Sequence, residues 1–291
     1  MRSLVIIPTY NEIENIHKML DTVLGLQPSF DLLVVDDGSP DGTAQAVQSI
    51  QSDHPEQIHL LERSGKLGLG TAYIAGFQWA LERDYQLVYE MDCDFSHNPM
   101  DLVRLRQACI DGADVAVGSR YVKGGTVSNW PIGRVLMSYF ASVYVNSILW
   151  LGVRDSTAGF KCYRREVLEK IDLTRIRFIG YAFQIEMKYN AKQLGFTIEE
   201  VPITFADREL GTSKMSMGIF KEAFLGVLQM RLRGLHQPLL YCDISERAQH
   251  DSYDNDHRLY DLHLIHGRQL RNRELLVPCQ LLHPRIRGQP P

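Results

Sequence analysis

Apolar positions gather in short β-branched runs at 4–7, 32–35, 58–61, 87–89 and 115–117. Between them, residues 15–26, 43–51, 71–83 and 101–110 repeat apolar side chains every three or four positions. Strand runs alternating with one-sided helices predict βαβ units and a mostly parallel, doubly wound α/β sheet. Beyond that half, the pattern predicts a long helix over 134–151, a strand at 160–163, a helix over 183–194 and a strand at 197–204. From His236 no period persists, and the rest of the chain carries six of its ten histidines and none of its lysines. Residues 236–291 are therefore expected to be poorly ordered, with no role legible in them.

Composition narrows the class. The 291 residues carry 31 Lys+Arg against 35 Asp+Glu, a net charge of −4, and 45% are hydrophobic. Such a chain can bury a substantial core, and it is neither collagen-like nor disordered. A mildly acidic balance leaves no electrostatic footprint for nucleic acid. The five cysteines, Cys93, Cys109, Cys162, Cys242 and Cys279, form no CxxC pair, so a reducing compartment is expected. The opening apolar run stops at Pro8, too short for a signal-peptide core, and reads as a first strand.

In an open parallel sheet, ligands bind beyond the carboxyl ends of the strands, and those positions are polar here. Pro8, Thr9, Tyr10, Asn11 and Glu12 follow the first run; Asp36, Asp37, Gly38 and Ser39 follow the second. Asp92, Cys93, Asp94 and Ser96 follow the fourth, and Gly118, Ser119 and Arg120 the fifth. Two carboxylates one residue apart at a strand end suit a hard divalent cation, Mg2+ or Mn2+, bridging diphosphate oxygens. The same triplet also occurs as a bland loop, and the Asp36–Ser39 run is equally a turn. The segment from Gly65 to Gly70 matches neither the P-loop nor the dinucleotide fingerprint and reads as a glycine-rich turn carrying Lys66.

Taken in order, these strand-end motifs resemble glycosyltransferase family 2, enzymes of the GT-A fold. The runs 92–99 (DCDFSHNP), 117–121 (VGSRY), 155–161 (DSTAGFK) and 208–215 (RELGTSKM) are similar to those of its polyprenol-phosphate (dolichol-phosphate) mannosyltransferases. The resemblance spans about residues 3–235. It implies that Pro8, Tyr10, Glu12, Asp37, Asp92, Cys93 (through its backbone), Asp94, Arg208 and Lys214 hold the donor, and that Asp92, Asp94 and Ser96 face the metal. Some relatives carry Gln where Ser96 stands. It further implies catalytic roles for Asp94, Arg120 and Arg134, with Arg120, Arg134 and Ser138 receiving the acceptor phosphate. The implied reaction is inverting transfer of mannose from GDP-mannose to a polyprenyl phosphate at the cytoplasmic face of the membrane.

The stretch from Val135 to Val153 is uncharged and approaches the ~20 residues of a bilayer crossing. On a helix, Arg134, Ser138, Ser142 and Asn146 form one polar stripe, which a lipid-spanning segment tolerates poorly. Residues 132–153 are therefore expected at the membrane interface within a catalytic domain of residues 1–218, the alternative being a buried core helix. Residues 219–235 combine Lys221, Arg231 and Arg233 with Phe220, Phe224, Leu225 and Leu228, the pattern of a basic amphipathic helix on a membrane surface. Peripheral association, with room for a membrane-anchoring partner subunit, is expected. Two readings compete: a UDP-sugar-dependent glucosyl or N-acetylglucosaminyl transferase on the same fold, and an inert nucleotide-sugar-binding subunit.

Overall fold

The computed structural model describes residues 1–207 and a helix over 217–236. Residues 208–216 and 237–291, holding Arg208, Lys214 and nearly all of the tail expected to be irregular, lie outside the described residues. In chain order the elements are β1 (Ser3–Thr9), α1 (Ile13–Leu24), β2 (Asp31–Asp36), α2 (Thr43–Asp53), β3 (Ile58–Glu62) and α3 (Leu69–Leu81). Then follow β4 (Leu87–Glu90), α4 (Asp101–Ile110), β5 (Val115–Ser119), β6 (Thr126–Ser128) and α5 (Ile132–Leu149). The last are β7 (Lys161–Arg164), α6 (Arg165–Lys170), α7 (Tyr181–Gln193), β8 (Ile198–Pro202), β9 (Thr204–Ala206) and α8 (Met217–His236).

Seven strands form one sheet in the order β3-β2-β1-β4-β7-β5-β8. All pair in parallel except β7, which runs antiparallel between β4 and β5. The sheet is therefore mostly parallel and doubly wound, as the sequence pattern predicts. The run expected as one strand over 197–204 is two. Pro202, which has no N–H to donate, ends β8 opposite Ser119, and β9 pairs instead with β6 in a separate two-stranded sheet.

Period-two alternation divides the core. Leu4, Ile6, Leu33 and Val35 face Tyr73 and Phe77 of α3. Val5, Ile7, Leu32 and Val34 face Ile16, Met19 and Leu20 of α1, with Leu102 and Leu105 of α4. Strands buried on both faces read as continuous apolar runs because helices cover both sides. A side chain on Gly76 of α3 would lie 2.7 Å from Ile6, so glycine lets that helix close onto β1.

Phe77 is fully buried, with its ring edge-on to Tyr163 at 5.6 Å. Phe77→Ala is expected to cost about 3–5 kcal/mol in guanidinium unfolding, as ring deletions in closed cores do.

Candidate active site

One side of the site is built from the ends of β1, β2 and β3. Asp36 is buried and accepts from the Thr9 hydroxyl (2.8 Å), the Ser39 amide (2.8 Å) and the Ser39 hydroxyl (2.6 Å), which shapes the turn after β2. Asp37 then meets Arg63, whose Nε and Nη2 reach its Oδ1 at 2.6 and 2.5 Å. Arg63 Nη1 donates to the Thr71 hydroxyl at 2.9 Å, joining this turn to the start of α3. Lys66 Nζ lies 4.9 Å from the centre of the Tyr10 ring. Glu12 sits just before α1 and accepts from Asn15 Nδ2 at 3.0 Å, while half-buried Pro8 lies in β1 opposite Val35. The strand ends thus bring Pro8, Tyr10 and Asp37 together, with Glu12 at the foot of the next helix.

The paired carboxylates follow β4. They differ in setting: the Asp92 side chain is 40% exposed, whereas Asp94 is buried and its Oδ1 accepts from the Ser96 amide (3.1 Å) and hydroxyl (2.5 Å). Ser96, itself buried, fixes the Asp94 carboxylate directly. Cys93 is buried too, and burial pushes its thiol well above the usual range, so an unreactive side chain stands between the two acids. His97 places Nδ1 3.9 Å from Asp92 Oδ2 and lies between the rings of Phe160 (4.9 Å) and Phe205 (5.2 Å). Burial lowers its pKa to about 4, which leaves a neutral imidazole and a weak base near pH 7.

The cations gather at the end of β5 and the start of α5. Arg120 is buried and holds Asp155 in a fork, Nε to Oδ2 at 2.7 Å and Nη2 to Oδ1 at 2.6 Å, while its backbone amide donates to Oδ2 at 2.9 Å. Burial opposes the Asp155 charge, yet these hydrogen bonds and the guanidinium hold its pKa below the ordinary carboxylate value. Arg134 lies 3.9 Å from the Trp130 ring centre and 3.2 Å from Asp207. The Arg120 guanidinium lies 5.7 Å from the same indole centre. Half-buried Ser138 follows one turn after Arg134, and the next residue, Tyr139, meets the ring of Tyr121, the neighbour of Arg120, edge-on at 5.5 Å. Arg120, Arg134 and Ser138 are thus brought together, and Asp92, Asp94 and Ser96 form a second group linked to the first through His97, Phe205 and Trp130. Arg208 and Lys214 lie outside the described residues.

Three participants escaped the sequence reading. Arg63 is the residue after β3 and follows the same strand-end rule as the others. Asp155 opens the 155–161 run, where nothing local marks it as the partner of Arg120. Trp130 has no periodic signal at all.

Helix α5 turns its polar stripe inward. Ser142 is buried and Asn146 Nδ2 donates to the Val153 carbonyl, whereas Ile132 (78%), Phe140 (62%) and Trp150 (73%) are exposed together with Leu136, Met137, Tyr139 and Val143. The alternative of a buried core helix does not hold. Of the described helices it is the one long and apolar enough to cross a membrane by length and composition. Alongside it, α8 exposes Phe224, Leu225, Leu228 and Leu232, and Tyr144 stacks on Phe224 at 4.6 Å.

A mostly parallel sheet with a DxD pair at the end of β4 and a buried guanidinium at the end of β5 is the architecture of a GT-A glycosyltransferase. The family model for "Glycosyl transferase family 2" matches residues 4–172, and the chain belongs to that family. It is 50% identical over 233 residues to a polyprenol monophosphomannose synthase of Mycolicibacterium smegmatis, covering 80% of this chain and 88% of the relative. It is 48% identical over 232 residues to an undecaprenyl-phosphate mannosyltransferase of Micrococcus luteus, covering 80% and 95%. Among solved structures, glucosyl-3-phosphoglycerate synthase from Mycobacterium tuberculosis, in complex with Mn2+, UDP and glucosyl-3-phosphoglycerate, superposes with a TM-score of 0.56 at 19% identity over 81% of each chain. That likeness shows the fold.

Removing one partner of the buried Arg120–Asp155 pair strands the other charge. Asp155→Ala is expected to lose about 3–5 kcal/mol in chemical denaturation, and the Arg120→Met/Asp155→Leu double variant to recover much of it.

Proposed function

We propose that this chain transfers mannose from GDP-mannose to a polyprenyl phosphate, with inversion, at the cytoplasmic face of a membrane. The observation that carries the reading is the meeting of Arg120 and Arg134 over Trp130 at the foot of the exposed apolar face of α5, next to the DxD strand end. The names of the two relatives near 50% identity, which cover most of their own length, support the sugar and the acceptor.

The donor set at Asp92 and Asp94 is all oxygen and fits Mg2+ or Mn2+. Among the described residues no group of three or more His, Cys, Asp or Glu side chains is placed to hold a metal ion. When bound, such an ion neutralises charge building on the leaving diphosphate. The protein's own part is to hold the Asp94 carboxylate through Ser96, and to keep Asp37 on Arg63 at the nucleotide end. Arg208 and Lys214 are assigned to the donor phosphates by the family resemblance.

At the acceptor end a phosphate oxygen attacks C1 of mannose; the new C–O bond forms as the bond to the diphosphate breaks, and GDP departs with the electron pair. A phosphate monoester has a second pKa of about 6, so near neutral pH most of it is already dianionic and no proton has to be removed. A weakly basic, ring-enclosed His97 agrees with that economy. What the step needs is cations that orient the dianion beside a negative donor, and guanidinium suits phosphate oxygens. The apolar faces of α5 and α8 would receive lipid while the polyprenyl phosphate head reaches Arg134.

Labelled GDP-mannose, a short polyprenyl phosphate and Mg2+ are expected to give polyprenyl-phosphate mannose, with Asp94→Asn or excess chelator abolishing nearly all of it. Stabilisation by UDP and not by GDP in a thermal-shift panel would move the reading to a UDP-sugar donor. Arg134→Ala should raise KM for the polyprenyl phosphate far more than KM for GDP-mannose, Arg134→Lys should recover part of that loss, and His97→Asn should retain most turnover. In flotation with anionic vesicles the protein should bind reversibly with salt, and Phe140→Asp should weaken that binding; an alkali-resistant pellet would point to a crossing by α5.

A further inference from the structure

We propose that Trp130 is a positioning residue of the acceptor site, whose indole face keeps the Arg134 guanidinium in place while that cation exchanges a carboxylate for a phosphate. The inference rests on the polyprenyl-phosphate reading and adds to it a residue that the sequence reading did not single out. Trp130 lies in the connection between β6 and α5, four residues before Arg134.

The two arginines are held in different ways. Arg120 is buried with its Nε and Nη2 edge committed to Asp155, a pair whose disruption would strand a buried charge. Arg134 instead meets Asp207 at 3.2 Å with side chains 27% and 38% exposed, a contact of the weak, solvent-screened kind. A dianion arriving at Arg134 is repelled by Asp207, so that carboxylate has to give way. Any contact of this long, rotamer-rich side chain that persists while the carboxylate leaves limits the geometries it can sample.

The indole supplies the restraint that does not have to be exchanged. It attracts a cation through its quadrupole without neutralising it, so Arg134, 3.9 Å from the ring centre, stays both held and positive. The ring is itself fixed: Phe205 meets it edge-on at 5.2 Å, and Phe205 meets His97 edge-on at 5.2 Å. His97 lies three residues after Asp94, so this aromatic column sets the acceptor cation relative to the metal motif.

The test uses the whole chain and a soluble probe, decyl phosphate, with binding read by isothermal titration and KM for a short polyprenyl phosphate read beside KM for GDP-mannose. Trp130→Leu is expected to weaken decyl phosphate binding about tenfold, equivalent to about 1.4 kcal/mol. Trp130→Phe should lose less, and tetrafluorotryptophan incorporated at position 130, equal in shape but with a depleted π face, should fall between wild type and Trp130→Leu. GDP affinity should stay within about twofold throughout, and in an Arg134→Ala background Trp130→Leu should have no further effect. The fluorinated ring keeps the packing, so its loss of affinity reports the cation contact and not the fold. Unchanged affinity in the fluorinated or leucine variant, additive effects with Arg134→Ala, or a wild type that does not bind decyl phosphate would each overturn the proposal. A wild type that binds decyl phosphate in this way yet transfers no mannose would overturn the reaction assigned above and leave the role of Trp130 standing.

Discussion

The site depends on one strand running the wrong way. If β7 were parallel like its neighbours, the loop before it would lie at the opposite edge of the sheet from the ends of β4 and β5. Because it is antiparallel, the segment Asp155–Phe160 enters at that edge, and Asp155 meets Arg120 there. The orientation is held by a fully buried ion pair. Lys161, the first residue of β7, is the register partner of Glu90, the last of β4, and its ammonium lies 3.2 Å from Glu90 Oε1. Gln184 of α7 accepts from Lys161 and the Tyr163 hydroxyl donates to Glu90 at 2.9 Å. Desolvation makes such a pair a poor source of net stability, but a register slip would leave both charges buried without partners. It therefore fixes which residues of β4 and β7 face each other, and so where the DxD pair and Asp155 emerge.

From that registration the two halves of the site follow by packing. Phe160, the residue before Lys161, stacks on His97, and His97 meets Phe205 at the start of the small second sheet. The chain leaves β8 at Pro202 and crosses to β6 within two residues, and this switch puts Phe205 and Asp207 beside Trp130 and Arg134. The DxD strand end and the Arg134 guanidinium are thus linked by a column of rings, His97, Phe205 and Trp130. The rings fix the spacing of the two groups, while Arg120 and Arg134 each keep a carboxylate partner of their own in Asp155 and Asp207.

Much of this was legible in the sequence because strand ends in a parallel sheet are a rule of position. The strand runs placed Asp37, Asp92, Asp94 and Arg120 at one edge, and the same rule applied to β3 would have added Arg63. The i,i+4 stripe of Arg134, Ser138, Ser142 and Asn146 identified the face of α5 that turns to the protein. What remained hidden is long-range: the direction of β7, the pairing of Asp155 with Arg120 across 35 positions, and the placing of Trp130 between cations from two elements. None of these leaves a local period, since each is decided by which strand fills a gap in the sheet. The break at Pro202 had a local sign in the proline, but its consequence, a second sheet, depends on β6 being there to receive β9.

The apolar surface of α5 and α8 and the turn after β2 share one further element. The connection before α7 holds Phe178, whose backbone amide and that of Arg177 donate to Glu186 at 3.0 Å. On one side Phe178 touches α8 so closely that a side chain on Gly226 would come within 2.8 Å of its ring. On the other, the carbonyl of Ile179 accepts from the Gly70 amide at 2.8 Å, and a side chain on Gly70 would lie 2.9 Å from the Phe178 carbonyl. Gly70 belongs to the first turn of α3, where Thr71 receives Arg63 and thereby supports Asp37. Glycine at both positions lets backbone and ring meet without a cushion of flexible side chains. Close-packed contacts of this sort transmit displacement, so the helix with exposed leucines and the turn that holds Asp37 are parts of one rigid path.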